Sequence, residues 1–382
     1  MIFPQGASII GVGSTAITRD SGVPVGDLAA DAVLAALDDS GLGIHDVDAI
    51  IDYHVNDSVS SIALARILGM ENLGWMTDYY GGGQHAASIL GNAAMLITSG
   101  QAEVVVVYRA LNGRSGKRMG QSDVGWSEDA EFYRQYGLAG PAQLFALAAQ
   151  RYLHDRGMDE RDLAAVAMQF RAHARLNERA LMRDPMSFED YLASPFVATP
   201  IRRLDCCQET DAACALVITT AERAAGSSRP GVAIRGVVRG GGPGATAQDR
   251  AADLSALFSQ YLAGRLWAAS GMTARNVDLA QLYDAYTWVV LRQLEDFGFA
   301  ARGEAGAFMR SGEGAYTGSL PVNTNGGLLS EGYIHGLNNV VEAVVQLRHE
   351  AGERQVSDAS VALCTGFSGS FGSAALLARQ DA

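Results

Sequence analysis

No apolar run in the chain approaches the roughly 20 residues that carry a helix across a bilayer. No cluster of lysine and arginine offsets a balance of 29 basic against 42 acidic residues. The resulting formal net charge of −13 argues against a nucleic-acid surface and against docking on anionic membranes. Arginines scattered between Arg109 and Arg203 come nearest to a basic patch. Cysteine is scarce. Cys206, Cys207, Cys214 and Cys364 have neither zinc-ribbon spacing nor the density of a disulfide scaffold, and a reducing cytoplasm fits them best. The opening stretch MIFPQGASIIGVGST carries no basic leader and reads as a strand, so no signal peptide is expected. What is present is apolar mass: 382 residues, 48% of them hydrophobic, enough for a large core and, by length, for two domains.

The chain repeats itself. SGLGIHDVD (Ser40 to Asp48) and SGMTARNVD (Ser270 to Asp278) share their Ser-Gly to Val-Asp spacing, and each follows an Ala/Leu-rich helical pattern. Each leads into a strand-like segment, AIIDYH or LAQLYDAY, which places Tyr53 and Tyr283 at equivalent points. A second pair of segments agrees. GGGQHAASILGNAAMLITSG then AEVVVVYRA matches GLNNVVEAVVQLRHEAG then ASVALCTGF, in each case a glycine turn, a helix and a strand apolar enough to be covered on both faces. Helix–strand alternation predicts layered α/β halves packed together. Between them, from about 114 to 200, segments such as PAQLFALAAQRYLHDRG have helical periodicity and predict an inserted helical cap.

One stretch, TDYYGGGQHAAS from Thr77 to Ser88, places three glycines at the mouth of a helix. Glycine lets the backbone bend and lets a ligand approach, and the helix start offers unpaired N–H groups. That is the construction of a site.

LDCCQETDAACALVITT, LYDAYT, NTNGGLLSEGYIHG and CTGFSGSFG, in this order, resemble motifs of the thiolase superfamily, in particular the sterol-carrier-protein type and its non-thiolytic relatives. The resemblance implies an α/β, thiolase-like fold of two similar βαβαβαββ halves with layered sheets and helices. Residues 1–240 would form the first half, including the insertion, and residues 241–382 the second. The family's nucleophilic cysteine lies in a pattern like Cys-x-x-Gly-x-x-Ala. Gly83 and Ala86 match it here, so Tyr80 occupies the nucleophile's place. A phenol cannot replace a thiolate as acyl carrier. The two segments that resemble the family's histidine motifs read Tyr283-Asp284-Ala285-Tyr286-Thr287 and Gly332-Tyr333-Ile334, while Cys364-Thr365-Gly366 keeps its thiol.

This set of replacements is similar to that of the thiolase-like aldolases of bacterial steroid side-chain degradation. It implies retro-aldol cleavage of a bulky steroid β-hydroxyacyl-CoA to a ketone and a short acyl-CoA, such as propionyl-CoA or acetyl-CoA, without an acyl-enzyme. No cofactor or metal is implied, because the CoA belongs to the substrate. A homodimer is implied, joined into a heterotetramer by a small OB-fold protein with a zinc ribbon. A thiolase or acyl-CoA acyltransferase and a non-catalytic lipid carrier subunit are the alternatives.

Retro-aldol chemistry needs a base for the β-hydroxyl, donors for the enolate oxygen and an acid for the enolate carbon. Tyr283 and Tyr333 are the candidate acid and base, in either order. A phenol of ordinary pKa near 10 is expected to be depressed by neighbours if it is to act as a base. Backbone N–H groups of Tyr80 and Gly366 are the candidate oxyanion donors implied by the family. His335 and His85 are the nearest imidazoles. Asp284 either orients Tyr283 or caps a turn. Asn325 either faces a ligand or satisfies its own turn, and Cys364 is a relic, a proton donor or a buried thiol. Arg109, Arg114 and Arg118 either meet CoA phosphates or belong to a solvated loop.

Overall fold

The computed structural model describes residues 6–116, 118, 132–133, 135–138, 140–243, 245 and 251–380. The first residues of the N-terminal strand reading and part of the 114–200 insertion lie outside the described residues. The first half of the chain supplies β1 (Ala7–Ser14), α1 (Val25–Ser40), β2 (Ala49–His54), α2 (Ser61–Leu68), β3 (Trp75–Tyr80), α3 (Ser88–Thr98) and β4 (Val104–Asn112). The insertion carries α4 (Pro141–Arg156), α5 (Glu160–Arg175), α6 (Phe188–Ala193) and a ribbon of β5 (Phe196–Ala198) with β6 (Ile201–Arg202). Then come β7 (Asp211–Thr220), α7 (Ala221–Ala225), β8 (Val232–Gly241), α8 (Phe258–Ser270), β9 (Leu279–Gln281) and α9 (Thr287–Asp296). The chain closes with α10 (Ala305–Arg310), α11 (Gly327–Ser330), α12 (Leu337–Leu347), β10 (Val361–Ser368) and β11 (Phe371–Arg379).

The strands run β3-β2-β4-β7-β1-β8-β11-β10-β9. The seam between β1 and β8 is short, pairing Ser8 with Ala233 and Ile9 with Val232. Outward from it the two sides match: an antiparallel strand (β7, β11), a second antiparallel strand (β4, β10), then a parallel one (β2, β9). Only the first side continues into a full parallel strand, β3. On the other side its place is taken by a single parallel bridge from Ala280 to Val322.

The repeated nonapeptide has an atomic explanation. Ser40 and Ser270 each accept the amide two residues on, from Leu42 and Met272, at 3.2 Å. Gly41 and Gly271 end their helices in the left-handed region, at φ 73 and 70, which glycine adopts without a Cβ penalty. Asp48 accepts the amides of Glu103 and Val104 at 2.8 and 3.0 Å, and Asp278 those of Ser360 and Val361 at 2.8 Å. Each aspartate therefore ties the start of one parallel strand to the start of its neighbour.

Alternate side chains divide the core into layers. Ile9, Ile51, Val105 and Leu377 pack with α3 and α12, while Ile10, Ile50, Val106 and Val217 pack with α1. On the opposite face of the second half, α8, α9 and α10 share one core with the insertion, whose Tyr152, Phe170 and Tyr191 pack into the cluster containing Trp288. The insertion thus adds a two-stranded ribbon, which its helical periodicity did not announce. Among the described residues no helix is long and apolar enough to cross a membrane.

α1 lies against β1 at the closest approach that a bare backbone allows. A Cβ on Gly13 would meet the Ala32 carbonyl oxygen at 2.1 Å and the Ala36 nitrogen at 2.4 Å. Gly13→Ala must push helix from strand, and overpacking of this kind costs about 1–3 kcal/mol. Chemical denaturation should show that loss, with the slope of the transition unchanged.

Candidate active site

Three loops meet one strand: Gly81–Gly83 after β3, the segment after β9 and the segment between α11 and α12 converge on Gly366 of β10. Tyr283 is buried and its hydroxyl donates to that of Tyr333 at 3.0 Å, with the rings edge-on at 6.5 Å between centroids. The glycines explain how the phenol fits. A Cβ on Gly83 would lie 2.2 Å from the Tyr283 hydroxyl oxygen, and one on Gly336 2.7 Å from its ring. Gly366 closes the back of the loop, because its Cβ would lie 2.5 Å from the Gly83 carbonyl oxygen. The backbone of Tyr283 is clamped as well. Its N–H donates to the Thr365 hydroxyl at 2.7 Å, its carbonyl accepts from Gln293 at 2.9 Å, and Thr365 and Gln293 bond each other at 2.6 Å.

The expectation of a depressed phenol is overturned. Burial raises Tyr283 well above its ordinary value, with Tyr333 and the Cys207 thiol adding to the rise. Burial raises Tyr333 too, with Cys207 adding, while the bond received from Tyr283 and the more distant Arg109 cation work the other way. Charging either phenol in this apolar setting is unfavourable, so both are protonated at neutral pH.

His335 lies beside the pair, its ring 4.7 Å from that of Tyr333. Its Nδ1 accepts from Arg109, at 3.1 Å from Nε and 2.5 Å from Nη2. Arg109 is fully buried and ion-paired with Asp57 at 2.6 Å. This corrects the reading of Arg109 as a phosphate contact or a solvated residue. Arg114 and Arg118, farther along, both pair with Glu209. Burial, reinforced by the Arg109 cation, lowers His335 to about 3. His85 sits under the glycine loop, Nε2 3.3 Å from the Tyr80 carbonyl oxygen, and burial lowers it to about 4.

Other residues singled out in the sequence lie elsewhere. Tyr80 ends β3 with its side chain 67% exposed, and Gly83, three residues on, is what faces Tyr283. Asp284 accepts the amides of Leu328 and Leu329 at 3.0 Å and so caps α11. Asn325 is engaged at both ends, donating to Glu331 and Asn339 and accepting from Gly327. Cys364 is packed among apolar residues of the α3–α12 layer, and burial raises its thiol. Sequence reasoning missed Cys207, Asp57 and the role of Arg109. A lone arginine in the apolar run VVVVYRA was the available signal. An aromatic wall was also missed: Phe145 of α4 packs on Phe367 and Tyr286 at 5.2 and 5.4 Å, and Phe367 lies 5.8 Å from Tyr283.

Among the described residues, Asp52, His54 and Asp78 are the group whose ligand atoms, within 4.8 Å of one another, could gather round a metal ion. His54 Nδ1 accepts the Asn56 amide at 3.0 Å, which leaves the ring proton on Nε2 and makes that nitrogen a donor. Among the described residues no such group adjoins the tyrosine pair.

The layering, the doubled topology and the convergent glycine loops define a thiolase-superfamily enzyme. Residues 249–378 match the family model for the thiolase C-terminal domain-like region. The chain is 41% identical over 353 residues to 17-hydroxy-3-oxo-4-pregnene-20-carboxyl-CoA lyase of Mycobacterium tuberculosis, covering 90% of this chain and 91% of the relative. It is 38% identical over 359 residues to a steroid side-chain-cleaving aldolase of Thermomonospora curvata, covering 91% of each. A solved structure described as an Ltp2-ChsH2(DUF35) aldolase superposes with a TM-score of 0.93 at 36% identity over the whole of both chains. The chain belongs to the steroid side-chain-cleaving aldolases of the thiolase superfamily, which are carbon–carbon lyases.

Asp284 supplies a test of the site's framework. Burial raises its carboxyl to about 7, against the opposing pull of the Leu328 and Leu329 amides. A group raised on folding contributes stability that is full below its unfolded value near 3.9 and is lost as pH rises through the folded one. Asp284→Asn cannot titrate, so the melting advantage of the parent over this variant should shrink from pH 4 to pH 8. Thermal melts across that range check it.

Proposed function

We propose that the chain cleaves a bulky steroid β-hydroxyacyl-CoA by a retro-aldol reaction, giving a ketone and a short acyl-CoA such as propionyl-CoA or acetyl-CoA, with no covalent acyl-enzyme. The observation that carries this reading is the 3.0 Å contact between the two tyrosine hydroxyls, in a site where a glycine faces them. The net change in a retro-aldol reaction moves one proton from the β-hydroxyl oxygen to the carbon α to the thioester. A hydrogen-bonded pair of neutral phenols can do this without a resident phenolate. The hydroxyl proton enters at the Tyr283 oxygen as the Cα–Cβ bond breaks, and the bonding electrons pass to the thioester as an enolate. The proton shared by the phenols moves to Tyr333, and the original Tyr333 proton goes to the enolate carbon. Both phenols end protonated, with the bond between them reversed until the hydroxyls rotate back.

Burial suits such a relay, since it keeps both groups protonated. The buried Cys364 and the exposed Tyr80 side chain favour it over a thiolytic route. Phe145, partly exposed over the buried Tyr286 and Phe367, gives the site an apolar flank suited to a steroid. No cofactor is required beyond the CoA of the substrate.

The assembly we propose is a homodimer completed by a small OB-fold protein with a zinc ribbon. β3 is an edge strand that leaves Trp75, Met76 and Tyr80 exposed, a surface suited to a second copy. The solved relative is described as a complex with a DUF35 protein, and the proposed partner is of that kind. Four unpaired cysteines suit a cytoplasmic setting.

Tyr283→Phe and Tyr333→Phe each remove one hydroxyl and keep the ring. Each should lower turnover by about 100- to 10,000-fold with little change in melting temperature, and the double variant should be scarcely worse than the poorer single one. Tyr108→Phe, which removes a bond to the Val59 carbonyl on another face of the sheet, should leave turnover unchanged. Aldol cleavage assayed with the partner present decides this, and losses under tenfold in both single variants would remove the pair from the mechanism. Mass spectrometry of protein quenched during turnover should find no acyl adduct. The alkaline limb that a titrating phenol would impose should be absent from kcat up to about pH 10, the ordinary phenol value.

A further inference from the structure

We infer that Arg109 is a positioning residue, held by Asp57, that fixes His335 as the neutral tautomer with its proton on Nε2, making that N–H a hydrogen-bond donor to the thioester oxygen. This rests on the retro-aldol reading, in which negative charge develops on that oxygen.

The tautomer follows from the chemistry of the partners. A guanidinium has five N–H donors and no acceptor. Two of its nitrogens, Nε and Nη2, point at His335 Nδ1, so Nδ1 must present its lone pair and the single proton of a neutral imidazole must lie on Nε2. Arg109 cannot turn away. Its Nη2 also binds Asp57, its Nη1 donates to the Ala110 carbonyl at 2.5 Å, and its guanidinium lies over the Tyr53 ring at 5.7 Å.

The backbone of His335 is held with equal care. Its φ is 46, in the left-handed region that few side-chain-bearing residues occupy, and its carbonyl accepts from the Tyr53 hydroxyl at 3.0 Å. A conformation of this kind persists where the surroundings impose it, and such positions cluster at functional sites. Nε2 faces the glycine loop, since a Cβ on Gly82 would lie 3.1 Å from it. Among the described residues no side chain or backbone group is hydrogen-bonded to this nitrogen.

The charged and titratable groups facing the ring are Arg109, Asp57, His85, Tyr53 and Tyr333. The Arg109 cation opposes a second proton on the ring, and His85 is itself held neutral. A neutral donor can stabilise an enolate oxygen without surrendering its proton, and a preorganised donor of this kind is worth roughly 100- to 1,000-fold in kcat.

The test reads the tautomer first and activity second. Long-range proton–nitrogen NMR of protein labelled with 15N-histidine, in complex with its partner, should show one histidine as the Nε2–H tautomer that does not titrate between pH 5 and 9, absent from the His335→Asn spectrum. Arg109→Met should raise the pH at which that ring takes up a second proton, while burial still holds it below the ordinary value of about 6.5, and should admit the Nδ1–H form. Because Arg109→Met alone leaves Asp57 buried without its partner, the double variant Asp57→Asn/Arg109→Met removes both charges and serves if the single variant does not fold.

In either variant kcat should fall with KM little changed, and should partly recover at the lower pH where the imidazolium forms and restores a proton to Nε2. The parent should show no such recovery. A parent His335 in the Nδ1–H form, or one that titrates near neutrality, overturns the tautomer assignment whatever the reaction is. A confirmed tautomer with kcat unmoved by Arg109→Met overturns the role at the oxygen. Failure of the parent to cleave β-hydroxyacyl-CoA at all would leave the NMR result intact and count against the aldolase reading.

Discussion

The site depends on bare backbone lying against one aromatic ring. Tyr283 reaches Tyr333 because Gly83 and Gly336 present no side chain to it, and Gly366 presents none to the loop behind. A Cβ at Gly83 or Gly336 would collide with Tyr283, and one at Gly366 with the glycine loop behind it. The same closeness buries Tyr283 and covers much of Tyr333, and loss of solvent raises both pKa values. Packing and protonation state are thus two results of one constraint.

Internal symmetry supplies the loops that meet that constraint. Equivalent helix ends, strand starts and aspartate clamps in the two halves bring the segments after β3 and β9 to one side of the sheets, with the α11–α12 turn between them. Tyr53 and Tyr283, equivalent in the repeat, both aim their hydroxyls at the 333–335 segment: one binds the His335 carbonyl and the other the Tyr333 hydroxyl. One copy therefore has a structural task where the other faces the chemistry.

Much of this was legible in the sequence wherever a residue acts on its neighbours. Ser-Gly and Val-Asp recur because each residue of the repeat satisfies a local backbone need, and the glycine loop announces itself because close approach leaves no alternative. The tyrosine pair was legible only as a departure from family motifs. Long-range pairing leaves no such trace. Arg109 meets Asp57 across 52 residues and His335 across 226, and nothing local distinguishes it from a surface arginine except the apolar strand in which it sits. The rise in phenol pKa was missed for a related reason. Burial is a property of the assembled core, whereas composition suggested only which cations lay nearby.

The unequal ends of the sheet also carry a consequence. β9 is only three residues long, and its outer side is already answered by the Pro321–Asn323 segment, which bonds Ala280 through both N–H and carbonyl. β3, at the other end, is six residues long and faces outward. A chain with two open edges can add copies at each and grow into a fibre, as heterologous contacts do when they fail to close. A main sheet with one open edge among its described strands can be extended there once. Were two such edges to meet, each would consume the other, and growth along the sheet would have a single stopping point.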